Sequence, residues 1–354
     1  DFGDLPIFES ALTYVSIFIL RKGSKKDFDY LRINSMEEVK KLESIKGVNI
    51  EINSLTDNSW VLTKNEESII ISKLNLIPKL NKIGSANAGI ITGLDDVLML
   101  NKSELNKNNF EKELILPIIR GTDPKRYEYV SPSKYVIYPY KFEEGKTKIL
   151  SEKELKNFPI VYNYLIKYKS VLLKRKDSRK TFENRKDWFA LVRFGQKEIF
   201  NQEKIVTPGE VKEHKFSLDN SKAGFSCARV FAITLEDKKY NLKYILAILN
   251  SNLIKFYLRH IAPLKQGGYY TYSSTILGQI PIRLPSPSQE KRIISLVEQM
   301  LSLQKKYHDT KIMGHEKDRL KSQIDAVDYE IDEEVYKLYG ITDEEKKIIE
   351  ESLK

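Results

Sequence analysis

Hydrophobic residues follow two different patterns along the 354-residue chain. In the central part, short apolar runs are separated by Gly, Pro and polar turns, which predicts β-strands. These runs are "LILPIIRG", "KYVIYPY", "EKIVTPG" and "CARVFAITL". Between and after them, "LKYILAILNSNLIKFYLRHI" repeats apolar residues at helical spacing and predicts one long helix, and "GQIPIRLP" predicts a final strand-like piece. Mixed short strands with intervening helices indicate an α+β fold.

The C-terminal part carries helical periodicity with clear end signals. Ser286, Pro287 and Gln289 form an N-cap, a first-turn proline and a capping box, so a helix should begin there and run to about residue 307. A second helix should end at Gly340, and Thr342 with Glu345 can cap a third. We therefore expect a long helix followed by a small helical C-terminal tail.

Three N-terminal patterns bear on organisation. "ALTYVSIFIL" (11–20) alternates in a β-rich composition and predicts a buried strand. "NEESIIISKLNLIPKLNKI" predicts a helix that Pro78 interrupts. "GSANAG" (84–89) has the spacing of a phosphate-binding loop, but Ile90 and Ile91 follow instead of Lys and Ser/Thr, so we interpret it as a structural turn.

Charge is distributed unevenly. The net charge is +10, yet residues 116–285 hold 32 Lys and Arg against 16 Asp and Glu, and they contain 14 of the 20 tyrosines. Residues 314–354 are acidic, with 7 basic and 13 acidic residues. A basic, Tyr-rich central region suggests a polyanionic partner. A Lys-rich proteome would account for part of this excess, but not for its confinement to the middle.

The strongest basic tract is "LLKRKDSRKTFENRKDWFALVR" (172–193). Each cation placed on a phosphate would release counterions, and Arg can also read guanine, so this tract and the turn "RGTDPKRY" (120–127) are candidate DNA contacts. The alternative is a solvated surface. The candidate residues here are Arg120, Lys125, Arg126, Lys174, Arg175, Lys176, Arg179, Lys180, Arg185, Lys186 and Arg193.

A second candidate is "KQGGYYTYSS" (265–274), which follows the predicted long helix. Two adjacent glycines permit a sharp turn or close backbone approach. The side chains that could then reach DNA are Lys265, Gln266, Tyr269, Tyr270 and Tyr272. The alternation of Tyr270 and Tyr272 also fits one face of a strand, so at least one ring should lie in the core.

The sequence shows no catalytic constellation. The single Cys and four scattered His give no metal-ligand spacing, and no apolar run is long enough to cross a bilayer, so a cytoplasmic protein is expected. "DFG" at Asp1–Gly3 matches the kinase tripeptide, but no Gly-rich loop or His-Arg-Asp loop accompanies it.

Several segments in order resemble one family. "DFGDLPIFESALTYVSIFIL" is similar to the last strands of the catalytic domain of type IIG-like adenine-specific DNA methyltransferases. "AGIITGLDDVLML", "LPIIRGTDPKRYEYV", "EKIVTPG" and "LKYILAILNSNLIKFYLRHI" resemble their TaqI-like C-terminal target-recognition domain. "LGQIPIRLPSPSQEKRIISLVEQML" also resembles the start of the spacer helix in type I specificity subunits, and "VYKLYGITDEEKKIIE" resembles the family's C-terminal signature.

The resemblance implies a division of the chain. Residues 1–60 would be the end of a truncated methyltransferase core and a linker, 61–285 the DNA target-recognition domain, 286–313 a spacer-like helix and 314–354 a helical tail. The family's Asn/Asp-Pro-Pro-Tyr/Phe tetrapeptide, its Gly-rich S-adenosylmethionine loop and a nuclease signature are all missing from this sequence. No catalytic residue is therefore assigned, and S-adenosylmethionine is expected only for a catalytic domain outside this chain.

The expected function is sequence-specific recognition of double-stranded DNA within a restriction–modification adenine methyltransferase, with or without endonuclease activity. The C-terminal helices would contact other subunits. Two alternatives stay open: a helical interaction or assembly subunit, and an enzyme with an unrecognised site. Binding of single-stranded DNA or RNA is a variant, since Tyr rings can stack on unpaired bases.

Overall fold

The computed structural model describes residues 1–3, 5–9, 15–23, 25–55, 60, 62, 65–177, 180–227, 229–236, 240–265, 267–309 and 311–354. The strands in this part of the chain are β1 (Asp27–Tyr30), β2 (Val48–Glu51), β3 (Gly84–Ala88), β4 (Met99–Leu100), β5 (Ile115–Ile119), β6 (Lys134–Ile137), β7 (Tyr140–Glu143), β8 (Lys146–Ile149), β9 (Lys176–Asp177), β10 (Lys180–Thr181), β11 (Lys204–Pro208), β12 (Glu210–Val211), β13 (Ser217–Asp219), β14 (Gly224–Phe225), β15 (Val230–Leu235), β16 (Leu264–Lys265) and β17 (Tyr269–Thr271).

The α-helices are α1 (Met36–Val39), α2 (Asn65–Asn75), α3 (Asp95–Leu98), α4 (Lys102–Asn108), α5 (Glu152–Leu155), α6 (Pro159–Lys167), α7 (Lys169–Leu173), α8 (Lys197–Phe200), α9 (Leu242–Asn250), α10 (Asn252–Ile261), α11 (Ser274–Gly278), α12 (Pro287–Tyr307), α13 (His315–Tyr339) and α14 (Asp343–Ser352). Short 3-10 helices occupy Leu42–Ser44, Ile52–Ser54, Leu80–Lys82 and Lys112–Leu114. The fold is α+β, as the mixed strand and helix patterns predicted.

A four-stranded antiparallel sheet in the order β13-β11-β15-β3, which we call the central sheet, separates two hydrophobic clusters. Ile205 and Ile233 face the first cluster, whereas Val206 and Ala232 face the second. All five residues of β11 are buried, because both faces of the strand are covered. This is why the run "KIVTP" lacks the polar alternation of a half-exposed strand.

The two clusters are built from different elements. The first joins the central sheet to α2, α9, α10, α12, α13 and α14. The second joins it to a second sheet, in the order β14-β5-β6-β4, and to the helices of residues 152–173. The β14–β5 pair is parallel and the others in this sheet are antiparallel.

The C-terminal helices begin and end where the capping signals placed them. Ser286 and Gln289 form a capping box at the start of α12, and Thr342 and Glu345 form one at the start of α14. Gly340 ends α13 in the left-handed conformation, at φ 64°, which glycine adopts without steric cost. The predicted boundaries between a recognition domain, a spacer helix and a tail stay a prediction.

The structure corrects three predicted elements. Residues 15–20 form no strand and Ile19 is 93% exposed, while residues 11–14 lie outside the described part. A buried strand needs paired neighbours, and no described strand pairs with 15–20. "GSANAG" is mostly strand β3 rather than a turn. The predicted long helix is two helices, because Ser251 ends α9 and its side chain caps α10.

Candidate nucleic-acid interface

The ends of several strands meet at one end of the central and second sheets. β3 and β11 finish there, and the register pairs Phe231 with Ala88 and Val230 with Pro208 at the start of β15. The parallel pairing of Phe225 with Ile119 brings β14 and β5 to the same end. We call the segments that leave these strands the rim: residues 89–94, 120–124, 209–214, 226, 227 and 229.

Backbone hydrogen bonds hold the rim segments together. The Ile90 amide donates to Phe225 O at 2.7 Å, and the Cys227 amide donates to Ile90 O at 2.8 Å. The Gly209 amide donates to the carbonyl of Arg229 at 2.9 Å. The rim is therefore a set of loops fixed by their main chains, which leaves their side chains available for contacts outside the protein.

Asp123 shapes the segment after β5. Its Oδ2 accepts from the Arg120 amide at 2.8 Å, and its Oδ1 accepts from the Ser133 hydroxyl at 2.7 Å. Because Ser133 precedes β6, this one carboxylate closes the connection between β5 and β6. Arg120 is half-buried, and its guanidinium contacts Met99 Sδ at 3.1 Å.

The described residues of the basic tract 172–193 lie beside the rim. Ile91 and Arg193 exchange two backbone hydrogen bonds, of 2.9 and 3.0 Å. The guanidinium of Arg175 donates to Thr92 O at 2.8 Å. Two stretches that are about 100 residues apart in sequence therefore form one continuous surface.

The segment "KQGGYYTYSS" forms the hairpin β16–β17, and β17 pairs with β12 at the rim. Gly267 and Gly268 have φ of +82° and +76°, so the turn requires two consecutive glycine-like conformations. The ammonium of Lys265 pairs with Glu210. Tyr269 is 42% exposed, and the Lys212 ammonium lies 4.9 Å from the centre of its ring.

Exposed cations project from the rim and from the adjoining end of the basic tract. Arg193, Lys212 and Arg229 are exposed, and within the described residues their charged groups form no hydrogen bond or ion pair. The rim carries few carboxylates. Glu210 is paired with Lys265, and Glu213 is exposed. Such unpaired cations on a fixed backbone suit a polyanionic ligand.

The model of the TaqI-like C-terminal specificity domain matches residues 116–282. The chain carries a TaqI-like specificity domain. The match spans most of the second sheet, most of the central sheet, the rim segments after residue 116, α9, α10 and the β16–β17 hairpin. The family resemblance read from the sequence is therefore confirmed.

Two curated relatives are larger proteins. The chain is 22% identical over 385 residues to the type II restriction enzyme and methyltransferase RM.Eco57I of Escherichia coli, which covers 98% of this chain and 38% of the relative. It is 24% identical over 235 residues to the type II methyltransferase M.BstVI of Geobacillus stearothermophilus, which covers 65% of this chain and 39% of the relative. The chain thus spans under two fifths of the length of these relatives.

The fold is shared with a solved restriction–modification enzyme. The structure of the type IIL enzyme MmeI in complex with DNA superposes with a TM-score of 0.55 at 14% identity, over 84% of this chain and 37% of that chain. At this identity the likeness establishes the common fold.

Three predicted contact residues of the specificity domain are used inside the protein. Arg175 is 5% exposed, and its guanidinium donates to Leu172 O, Thr92 O and Trp188 O at 2.7–2.8 Å. Arg126 binds Asp328 on α13. The ring of Tyr272 is buried and its hydroxyl lies 2.9 Å from Nδ1 of His214, which agrees with the expectation of a core tyrosine in this segment.

The environment of these groups shifts their acid–base behaviour. Burial lowers the pKa of Arg175 to about 10 and that of His214 to about 3. His214 is therefore neutral at physiological pH, with its ring nitrogens on Tyr272 and on the carbonyl of Leu249. Its place is structural, because neither nitrogen is open to a ligand.

The remaining predicted residues lie in several places. Lys174, Lys176 and Lys186 are exposed beside the rim, and Lys125 is exposed where the chain leaves it. Arg185 is held by Asp187, with Nε at 2.9 Å from Oδ1, and Tyr270 is half-buried. Lys180 lies on β10, whereas Arg179 and Gln266 lie outside the described residues.

Arg229 and Lys212 belong to the rim, although the sequence pattern did not select them. Each is a single cation next to an apolar run, so a search for charge clusters passes over both. The signal that could have found them is their position: Lys212 follows the predicted strand "EKIVTPG" and Arg229 lies near the start of "CARVFAITL", where loops of a sheet converge.

The glycines that suggested a phosphate loop leave no room for a cofactor. A Cβ added at Gly84 would lie 2.2 Å from Thr234 O, and one at Gly89 would lie 1.8 Å from Phe225 O. These glycines permit close strand packing, so this segment does not form the open cradle of a phosphate-binding loop. No described helix is both long and apolar enough to span a bilayer.

Proposed function

We propose that the rim and the flanking basic tract bind double-stranded DNA and recognise a specific sequence. The observation that carries this proposal is the convergence of four strand-end segments and the adjoining basic tract, which present Arg193, Lys212 and Arg229 with no ionic partner among the described residues, within a TaqI-like specificity domain. MmeI, which shares this fold, has been solved in complex with DNA, and this supports the proposal.

Different parts of this surface suit different contacts. Exposed lysines of the tract, Lys174, Lys176 and Lys186, suit phosphates, because an ammonium is a point charge without base selectivity. Arg229 at the rim and Arg193 beside it lie on fixed backbone, and a guanidinium can bind guanine through two hydrogen bonds. Contacts by the hairpin residues Lys265 and Tyr269 also stay a prediction.

The role of the domain in a longer protein follows from this reading. It would place a target adenine for methyl transfer, which requires the base to leave the stack, while a separate domain binds S-adenosylmethionine. The proposal also includes methylation, DNA cleavage of the type IIG kind, and docking of other subunits on the C-terminal helices.

The test is a salt titration of binding to a fluorescent 30-base-pair duplex, measured by anisotropy. With roughly 6–10 phosphate contacts, the slope of log K against log salt should be about −5 to −9. Replacing Arg193, Lys212 and Arg229 together by Ala should reduce the magnitude of this slope by about 2–3.

The control is a variant with the same loss of charge outside the rim. Lys40, Lys46 and Lys347 are exposed cations on or after α1 and on α14. Their replacement by Ala should leave the slope within about 0.5 of the wild-type value. Absence of duplex binding at low salt, or an equal effect of both triple variants, would contradict the proposal.

A further inference from the structure

The chain leaves the rim along the edge of the central sheet. The Tyr127 amide donates to Phe216 O at 3.2 Å, and the Val130 amide donates to Leu218 O at 2.8 Å. The Lys125 amide is fixed by the Ser217 hydroxyl at 2.7 Å. Arg126 lies between these anchors, two residues after the last residue of the 120–124 segment.

The guanidinium of Arg126 joins three elements. One of its nitrogens binds the carboxylate of Asp328 on α13, and the other donates to Asn250 O at the end of α9 at 2.7 Å. The side chain of Asn250 in turn exchanges hydrogen bonds of 2.9 and 3.0 Å with the backbone of Phe216, just beyond the 209–214 segment. The 120–124 and 209–214 segments are therefore both connected to Asn250, the first through Arg126 and the second through Phe216.

α13 is held at a second point one turn further on. Asp332, which is 5% exposed, accepts from the amide of Asn252 at the first turn of α10 at 2.8 Å. The first amides of a helix have no partner within the helix, and the Asp332 carboxyl satisfies one of them. Asp328 and Asp332 thus fix the rotation of α13 about its axis and its position along that axis, relative to the specificity domain. We call Arg126, Asp328 and Asp332 the α13 seam.

We propose that α13 positions the DNA-binding rim through the Arg126–Asp328 contact, so that Arg126 is a positioning residue rather than a DNA contact. This rests on the proposed function of the rim. The C-terminal helices then act as a brace of the specificity domain. The consequence is specific: removing the negative charge of Asp328 weakens DNA binding, although simple electrostatics predicts that loss of an acidic residue strengthens it.

The first measurement needs no DNA. Hydrogen–deuterium exchange of the free protein should show faster exchange across residues 120–127 in Asp328→Asn than in the wild type. Asp325→Asn is the matched control, since Asp325 lies one turn away on the exposed face, paired with Lys321. Exchange at 120–127 that is equal in Asp328→Asn and Asp325→Asn would overturn the proposal, whatever the DNA experiments show.

The second measurement is binding of the same 30-base-pair duplex. Asp328→Asn should bind about 3–10-fold more weakly with an unchanged salt slope, because the number of phosphate contacts is the same. Unchanged or tighter binding by a folded Asp328→Asn would overturn the proposal. If the wild type itself fails to bind the duplex, the proposed function fails, while the exchange result still decides whether α13 braces the 120–127 segment.

Arg126→Lys separates positioning from phosphate contact. Lysine keeps the charge but cannot hold Asp328 and Asn250 O with a planar fork. As a positioning residue, Arg126 replaced by Lys should reproduce the exchange and affinity changes of Asp328→Asn. Wild-type affinity and wild-type exchange in Arg126→Lys would assign Arg126 to DNA or to the surface instead.

Discussion

Cations of the rim and cations of the interior are the same residue types in opposite settings. Arg229 and Lys212 project from fixed loops and have no ionic partner among the described residues. Arg175 and Lys204 are buried: Arg175 is satisfied by three carbonyls, and Lys204 lies 2.5 Å from Asp219 with both side chains fully buried. A net charge of +16 over residues 116–285 therefore overstates the charge that can meet DNA.

The difference has a physical origin. A buried cation loses its hydration, and it persists only where carbonyls or a carboxylate replace the water. An exposed cation keeps its water and can exchange it for phosphate. Interior cations should therefore affect stability, and rim cations should affect DNA binding, when each is removed.

The largest effect is expected at Lys204. Replacing it by Met leaves the carboxylate of Asp219 buried without its counter-charge, which should lower the free energy of unfolding by about 3–5 kcal/mol. Urea denaturation followed by circular dichroism measures this change. The free energy of unfolding should recover substantially in Lys204→Met/Asp219→Asn, since no buried charge is then left unpaired.

The rim provides the control for Lys204. Lys212→Met changes the same residue type at an exposed site on a neighbouring segment, and it should change the free energy of unfolding by less than about 0.5 kcal/mol. If Lys212→Met destabilises as much as Lys204→Met, the distinction between interior and rim cations is wrong.

The adjacent pair Arg175 and Lys174 sharpens the comparison within the basic tract. Arg175→Ala strands the carbonyls of Leu172, Thr92 and Trp188 and should cost about 3 kcal/mol of unfolding free energy. Lys174→Ala should leave stability within about 0.5 kcal/mol and instead reduce the DNA salt slope by about 1. If Arg175→Ala is as stable as the wild type and has a reduced salt slope, Arg175 contacts DNA and the comparison with Lys174 is wrong.

Local patterns predicted much of the fold because their physics is local. The capping boxes at Ser286 and Thr342 depend on residues three positions apart, and the glycine at 340 needs only its own backbone. Ser251 was missed because apolar spacing continues across it, although Ser is also a good N-cap. The stretch 15–20 was misjudged because burial depends on partner strands, which composition does not reveal.

The candidate site could be predicted only in part. The sequence located a basic region, but it could not separate Lys174 from Arg175, since burial of a side chain is decided by segments such as 91–94 that lie far away in the chain. Arg126 was selected for its charge, while its partner Asp328 lies about 200 residues later. Contacts across such separations follow from the tertiary fold alone.

The smallest change at each measured step is expected at Asp332, where the α13 seam meets α10 and stability falls gradually with pH. Burial raises the pKa of this carboxyl from 3.8 to about 7. The hydrogen bond from the Asn252 amide and the charge of Arg126 lower the pKa, whereas the charges of Asp328 and Glu350 raise it. Below about pH 4 both states are protonated and the stabilisation is complete. Above it the unfolded chain releases the proton first, so rising pH removes about 1 kcal/mol of unfolding free energy per unit up to about pH 7.

Asp332→Asn should abolish this dependence, because the amide keeps an acceptor for the Asn252 amide and has no proton to lose. Urea denaturation at intervals from roughly pH 4.5 to 7.5, which spans the titration window, compares the two proteins. The wild type should lose stability relative to Asp332→Asn as pH rises. Parallel curves for the two proteins would contradict the raised pKa of the Asp332 carboxyl.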